Sequence, residues 1–356
     1  MRFKNLLTAM AENKASHLFI TAGRAPTVKI NGSMLELDES PLTPEQTSAM
    51  VFGIMNLPQK EELKRTKECQ FAFGVQGLGR FRVSVFTQRD ALGMVLRRVE
   101  YQLPNPDLLN LPAILKTLVM EKSGLLLFVG QPHSGKSNTL AALLEHRNLY
   151  GKGHIITIED PIEFQYAHSG CIVTQREVGI DTESYHVALK NILHQAPDVI
   201  FIGELKTQEM LLEAINFAAS GCLCISTLYA NNVQQTLDRM IHCVSHDNRE
   251  QLLLDLSLNL RAIVAQKLIK RLDSGNYYPS FELLINNAQI KPYLRKGDCE
   301  NLQELMKNSA AEKMCTFNQS LCQLYLDGKI NYDDAIDASD NKNELRLMIK
   351  HSKEAH

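Results

Sequence analysis

The stretch 125–144, LLLFVGQPHSGKSNTLAALL, constrains this chain more than any other. It holds Gly130-Gln131-Pro132-His133-Ser134-Gly135-Lys136-Ser137, which fits the phosphate-loop pattern G-x-x-x-x-G-K-[ST]. Residues 125–129 are an apolar run of strand length that stops at a glycine. Beyond Ser137, Leu140, Leu143 and Leu144 fall at helical spacing. Each residue type has a physical task. Glycines let backbone N–H groups come close to phosphate oxygens. A helix N-terminus adds partial positive charge. Lys136, expected to face solvent and phosphate, brings a full charge, and the Ser137 hydroxyl can sit on Mg²⁺. An ordinary glycine-rich turn between strand and helix would explain the glycines alone.

A chain of 356 residues with 44% hydrophobic content predicts two or three globular domains. The net charge of -2 gives no electrostatic case for nucleic acid or an anionic membrane as main partner. The eight cysteines form no C-x-x-C pair and read as buried thiols of a reducing compartment. Near the N-terminus, Phe3, Leu6, Leu7 and Met10 mark an amphipathic helix, not a signal peptide. No apolar run approaches the roughly 18 residues of a membrane span. A soluble, cytoplasmic or peripheral protein is expected.

Residues 1–100 read as a small α+β domain. Strand-like runs at 18–21, 28–30 and 34–37 surround a turn at Asn31-Gly32. A helix is expected over 44–55. The alternating stretches 70–73, 79–86 and 93–99 complete a sheet. Arg80 and Arg82 fall on one face of their strand, opposite Phe81, Val83 and Val85. That face is either solvated or, with Arg97 and Arg98 on the adjoining strand, able to reach a triphosphate. Residues 101–107, with Pro104 and Pro106, form the linker.

From 108 to 285 strands and helices alternate, the signature of a mostly parallel sheet. Strands are expected at 125–129, 154–158, 199–202, 222–227 and 280–285. Helices are expected at 108–122, 136–147, 184–194 and 207–219, with mostly helical chain over 233–270. Residues 286–356 read as a helical region, with a capping box at Thr316 and Gln319. Ligands of such sheets bind at the carboxyl ends of the strands. There the chain places Asp160 and Glu163, then Glu204, then Tyr229. A carboxylate after an apolar strand can hold the waters of Mg²⁺ or take a proton from an attacking water. Glu204 is the metal-side candidate; Glu163 and Asp160 are candidates for base and metal surroundings.

Taken together, these blocks resemble the PilT/PilU-type ATPases of type IV pilus retraction, within the secretion-ATPase superfamily. The similar blocks are GQPHSGKS at 130–137, HIITIEDPIEF at 154–164, CIVTQREVGIDTES at 171–184, QAPDVIFIGE at 195–204 and TLYANN at 227–232. SHLFITAGRAPTVKINGSM at 16–34 and GRFRVSVFTQR at 79–89 are similar to the family's N-terminal domain. REVGID, LSLNLRA and NELRLMIK lean toward the PilU branch. The resemblance implies an α/β protein: a small PAS-like α+β domain at 1–100, a RecA-like P-loop domain at 108–285 and a helical C-terminal region. It implies ATP and Mg²⁺ as cofactors and a homo-hexamer, each nucleotide lying between neighbouring subunits. The expected partners are a PilT-like ATPase and the inner-membrane pilus platform, with no nucleic acid, at the cytoplasmic base of the pilus. In that reading Lys136 and Ser137 hold triphosphate and Mg²⁺, Glu163 is the catalytic base and Glu204 holds the metal through water. Arg80, Arg82 and Arg97 reach phosphates.

The chain departs from the family pattern at Pro132, His133, Asn138, His194, Lys206, Cys222 and Tyr229. His133 puts a Cβ where the loop needs permissive angles. Tyr229 stands where relatives carry histidine, and a phenol with a pKa near 10 cannot act as an imidazole. Two outcomes are open: a motor ATPase, or a slow nucleotide-binding accessory to a PilT-like ring.

Overall fold

The computed structural model describes residues 3–30, 32–37, 40–75, 77–99, 103–273, 276–309 and 313–354. The expected turn residue Asn31 and the start of the expected linker, 101–102, lie outside the described residues. The chain divides into two compact units, Met1–Tyr101 with Glu163–Gln165, and Gln102–Ile162 with Tyr166–His356.

The first unit is built on β1 His17–Ile20, β2 Thr27–Ile30, β3 Ser33–Glu36, β4 Glu68–Val75, β5 Gly79–Gln88 and β6 Ala91–Arg98. They form one antiparallel sheet in the order β3-β2-β1-β6-β5-β4. Period-two alternation sends Leu18, Ile20, Val28, Phe81, Val83, Val85, Met94 and Leu96 to one buried face. Leu6, Leu7 and Met10 of helix Phe3–Glu12 join that core, as does Val51 of helix Pro44–Ile54. Helix Leu57–Thr66 is unforeseen, because it buries only Leu63 and so has no apolar period. Its capping box, Asn56 with Gln59, was the available signal.

The opposite face carries a basic row. Lys29, His17, Arg97 and Arg82 stand opposite one another across β2, β1, β6 and β5. Directly opposed residues share a face and lie close. Burial lowers the His17 pKa, and the charges of Arg97 and Lys29 lower it further.

The second unit contains β7 Gly124–Val129, β8 Gly153–Glu159, β9 Cys171–Glu177, β10 Val199–Ile202, β11 Leu223–Leu228, β12 Leu260–Lys270 and β13 Tyr277–Ile285. The order is β13-β12-β7-β11-β10-β8-β9, parallel throughout except β12 with β13. Helices cover both faces, as a parallel sheet requires. Leu140, Leu143 and Leu144 of helix Lys136–Tyr150 pack on one side with Leu115 and Leu118 of Ala113–Leu118. Helices Gln208–Ala219, Val233–Cys243 and Arg249–Asn259 pack on the other. This is the α/β architecture the strand–helix alternation predicts.

Three expected helices are corrected. The one at 108–122 shrinks to Ala113–Leu118, since Asn110 has φ +55 and Pro112 caps the N-terminus. The one at 184–194 breaks at Asn191 into Tyr185–Lys190 and a 3-10 turn, Ile192–Gln195. The helical stretch over 233–270 stops at Asn259, and 260–270 is strand β12. Burial of β12 on both faces removes the polar alternation that marks a strand.

The C-terminal helices include Phe317–Leu326, Tyr332–Ala338 and Lys342–Glu354, the first opened by the expected Thr316–Gln319 capping box. Glu282 of β13, buried at 3%, accepts from the backbone N–H of Val233 at 2.8 Å and of Phe317 at 3.4 Å, the first residues of two helices. Asp340 accepts from Lys267 at 2.7 Å and Asn232 at 3.1 Å. Among the described residues no helix is long and apolar enough to cross a membrane.

Candidate nucleotide site

The loop leaves β7 at Gly130 and enters helix Lys136–Tyr150 at Gly135. A Cβ on Gly130 would lie 2.4 Å from Ser134 Oγ and 2.6 Å from the Gln266 carbonyl oxygen. Gly135, at φ +87, would put one 2.8 Å from Gln266 Nε2. No side chain fits at either position. His133 adopts φ +64, in the region that costs an L-residue strain.

Lys136 departs from expectation. It is 8% exposed, not solvent-facing. Its ammonium donates to the carbonyls of Gly130 and Gln131, both at 2.8 Å, and lies 3.4 Å from Ser134 Oγ. The same nitrogen sits 5.2 Å from the centroid of the Tyr229 ring. Such a cation–π contact contributes about 0.5–1 kcal/mol at exposed sites and about 2 kcal/mol where the cation is desolvated. Ser137 and Asn138, at the helix start, are exposed, as are Gln131, Pro132 and His133; Ser134 is buried.

Strand register decides what else stands near the loop. β11 lies directly beside β7, with Leu228 opposite Val129, so Tyr229 follows at the loop's edge. Arg239 donates to the Tyr229 carbonyl at 2.7 Å, and Gln131 donates to Asn231 at 3.0 Å. β10 is one strand further out and β8 two further, so the strands before Glu204 and Asp160 are not neighbours of β7. The Glu204 segment is pinned to β11: Leu205 N–H donates to the Thr227 carbonyl at 2.9 Å, and Thr227 Oγ1 to the Gly203 carbonyl at 2.6 Å. Asp160 is paired with Lys206 at 3.4 Å, both side chains nearly half exposed. The structure thus holds the loop, Tyr229, Glu204 and Asp160 in one unit. Glu163, which is exposed, belongs to the other, with Arg80, Arg82 and Arg97.

Sequence reasoning missed Tyr185. Its hydroxyl lies 3.2 Å from where a Gly203 Cβ would stand. Burial raises its pKa, and the charges of Asp160, Glu159 and Glu204 raise it further. The phenol therefore stays protonated. A tyrosine opening a short helix gives no sign of this in the sequence; only the strand order does. His17 and Lys29 were likewise invisible until register placed them beside Arg97.

A hydroxyl at Ser137 and a carboxylate at Glu204 are hard oxygen donors of the kind Mg²⁺ takes. Among the described residues no three His, Cys, Asp or Glu side chains gather as a metal site.

Residues 3–341 match the family described as Type II/IV secretion system protein. The chain belongs to this family. It is 50% identical to the type IV pilus ATPase PilU of Pseudomonas aeruginosa, covering 98% of this chain and 92% of that one. It is 31% identical to the type IV pilus retraction ATPase PilT of the same organism, over 94% and 97% of the two chains. The crystal structure of the pilus retraction motor PilT with bound ADP superposes with a TM-score of 0.89 at 36% identity, covering 98% and 99%. This secretion ATPase is therefore a P-loop enzyme and a close homologue of ATPases of twitching motility and pilus retraction.

Proposed function

We propose that this secretion ATPase binds and hydrolyses Mg-ATP as a homo-hexamer and powers type IV pilus retraction from the cytoplasmic base of the pilus. The observation that carries the reading is the phosphate loop, with Lys136 held in it by two carbonyls. The kinship to PilU and PilT supports the biological setting. Lys136, the loop N–H groups and the hydroxyls of Ser134 and Ser137 hold the triphosphate. Gln131, Pro132, His133, Asn138 and Tyr229 line it. Ser137, with Glu204 through water, would hold Mg²⁺, which neutralises charge on the phosphates. Glu163 takes the proton of the attacking water, and Asp160 supports the metal's surroundings. Arg80, Arg82 and Arg97 stabilise charge on a nucleotide held by a neighbouring subunit. A PilT-like ATPase and the membrane platform of the pilus are the partners.

A second reading, a slow accessory to a PilT-like ring, is favoured by two observations. His133 is strained, and the Tyr229 ring lies against Lys136. Phosphate release by the purified protein, alone and with a PilT-like ATPase, separates the two. Turnover alone supports the motor; turnover only in the mixture supports the accessory. In either case Lys136→Ala should weaken binding of a fluorescent ATP analogue by an order of magnitude or more, with an unchanged circular dichroism spectrum. Unchanged affinity would overturn the nucleotide-site reading.

A further inference from the structure

Gln266 stands beside the phosphate loop at two of its glycines and bonds the helix that follows. β12 runs parallel to β7 with Ala265 opposite Val129, so the next residue, Gln266, comes level with Gly130. Its backbone carbonyl oxygen lies 2.6 Å from where a Gly130 Cβ would be. Its side-chain Nε2 lies 2.8 Å from where a Gly135 Cβ would be. Its Oε1 accepts a 2.8 Å hydrogen bond from Thr139 Oγ1, in the first turn of the following helix. Gln266 is 2% exposed and Thr139 1%, so this bond is made away from water. Buried polar groups are held to their partners because leaving one unpaired is expensive. One residue therefore fills the space beside the first and the last glycine and bonds the helix that follows. Between those points stand the loop N–H groups and the backbone of Lys136.

We propose that Gln266 is a positioning residue for ATP binding and hydrolysis: its carbonyl and its amide hold the phosphate loop in the shape that presents Lys136 and the loop N–H groups. It acts through the loop and does not touch the phosphates. The inference rests on the reading of 130–137 as the ATP-binding loop. It follows from geometry: a rigid loop keeps its donors aimed without reorganisation when the nucleotide arrives. Replacing the amide by an apolar group of similar size leaves the β12 backbone in place but removes the bond to Thr139 and the polar group beside Gly135.

The test uses the full chain and three variants. Gln266→Leu should weaken Mg-ATP binding about tenfold, as read with a fluorescent analogue, and lower kcat by at least that factor. Its melting temperature should stay within a few degrees of the parent. Thr139→Val removes the same hydrogen bond without altering β12, and should reproduce part of the loss even if Gln266→Leu fails to fold. Thr139→Ser, which keeps the hydroxyl, should restore parental behaviour. The double variant Gln266→Leu, Thr139→Val should lose no more than Gln266→Leu alone, as expected of two residues in one contact. Parental affinity and kcat in Thr139→Val, or in a folded Gln266→Leu, would overturn the proposal. Lys136→Ala is the control. If it abolishes binding while the other variants are silent, only the role of Gln266 fails. If it also binds normally, the reading of the loop fails.

Discussion

His133 and Tyr229 carry the main chemical departures of the site, and each is open to a single-residue test. A left-handed backbone costs an L-residue about 1–2 kcal/mol, which His133→Gly would relieve. If position 229 holds a group that follows charge on the departing phosphoryl, as the resemblance implies, a phenol there loses a contribution that typically costs about 10²–10³ in rate. Tyr229→His, alone or with His133→Gly, should therefore raise kcat while changing ATP affinity little. Phosphate release checks it, and a flat rate in the double variant would make both positions neutral. A second test concerns His17. Its pKa is lowered by burial, then by Arg97 and Lys29. The folded chain thus favours neutral imidazole. That contribution to stability is complete above the ordinary value of 6.5 and is lost as pH falls through the lowered native value. Arg97→Ala should move the His17 titration upward in an NMR pH series; an unmoved midpoint would show that the row does not couple. The positions of these residues were legible: the loop follows β7, Glu204 follows β10 and Tyr229 follows β11, as motif and strand-end logic predict. The motif predicts a solvent-facing Lys136 because it names a charge but not the carbonyls that wrap it. Tyr185 and Gln266 were silent because their importance comes from what a neighbouring strand brings beside them.

Elements were legible where one face is buried and the other is not. In the N-terminal sheet β1, β4 and β5 alternate, so those strands can be read from period alone. β12 has both faces covered, and its Leu260, Ile263 and Val264 continue the helical spacing of Leu252 and Leu256. Nothing in that run marks the change, so a helix was read through a strand. β13 was easier to see but its main polar feature was not. Glu282 joins two helices by accepting the N–H of Val233 and of Phe317. Burial raises its pKa and Asp340 adds to the rise, while those two hydrogen bonds and Lys267 oppose it. A raised carboxyl pKa contributes stability that is full below the ordinary glutamate value, 4.5, and is lost as pH rises through the native value. Glu282→Gln should flatten that part of the pH dependence, as read from urea midpoints across pH. An unchanged slope would mean that Glu282 ionises in the fold as it does in the unfolded chain.

At the scale of the assembled molecule, the proposed ring makes the N-terminal arginines active in trans. If so, Arg82→Ala should slow hydrolysis more than it weakens ATP binding, because such charges act mainly on the transition state. Steady-state kinetics beside analogue titration checks this, and equal losses in both would place Arg82 in ground-state binding instead. Light scattering with saturating nucleotide should show six subunits; a monomer at micromolar concentration would remove the premise. Within one subunit, Asp340 has its own consequence for such a machine. One of its two bonds runs to Lys267, next to the Gln266 that grips Thr139. The other runs to Asn232, next to the Asn231 that takes Gln131 of the loop. If β12, the 229–232 segment and Asp340 shift together, both bonds survive. If one moves and the other does not, a bond must stretch or tilt. One carboxylate between two C-terminal helices thus clasps both segments that flank the phosphate loop, so a change in the gap between them is felt at a single side chain.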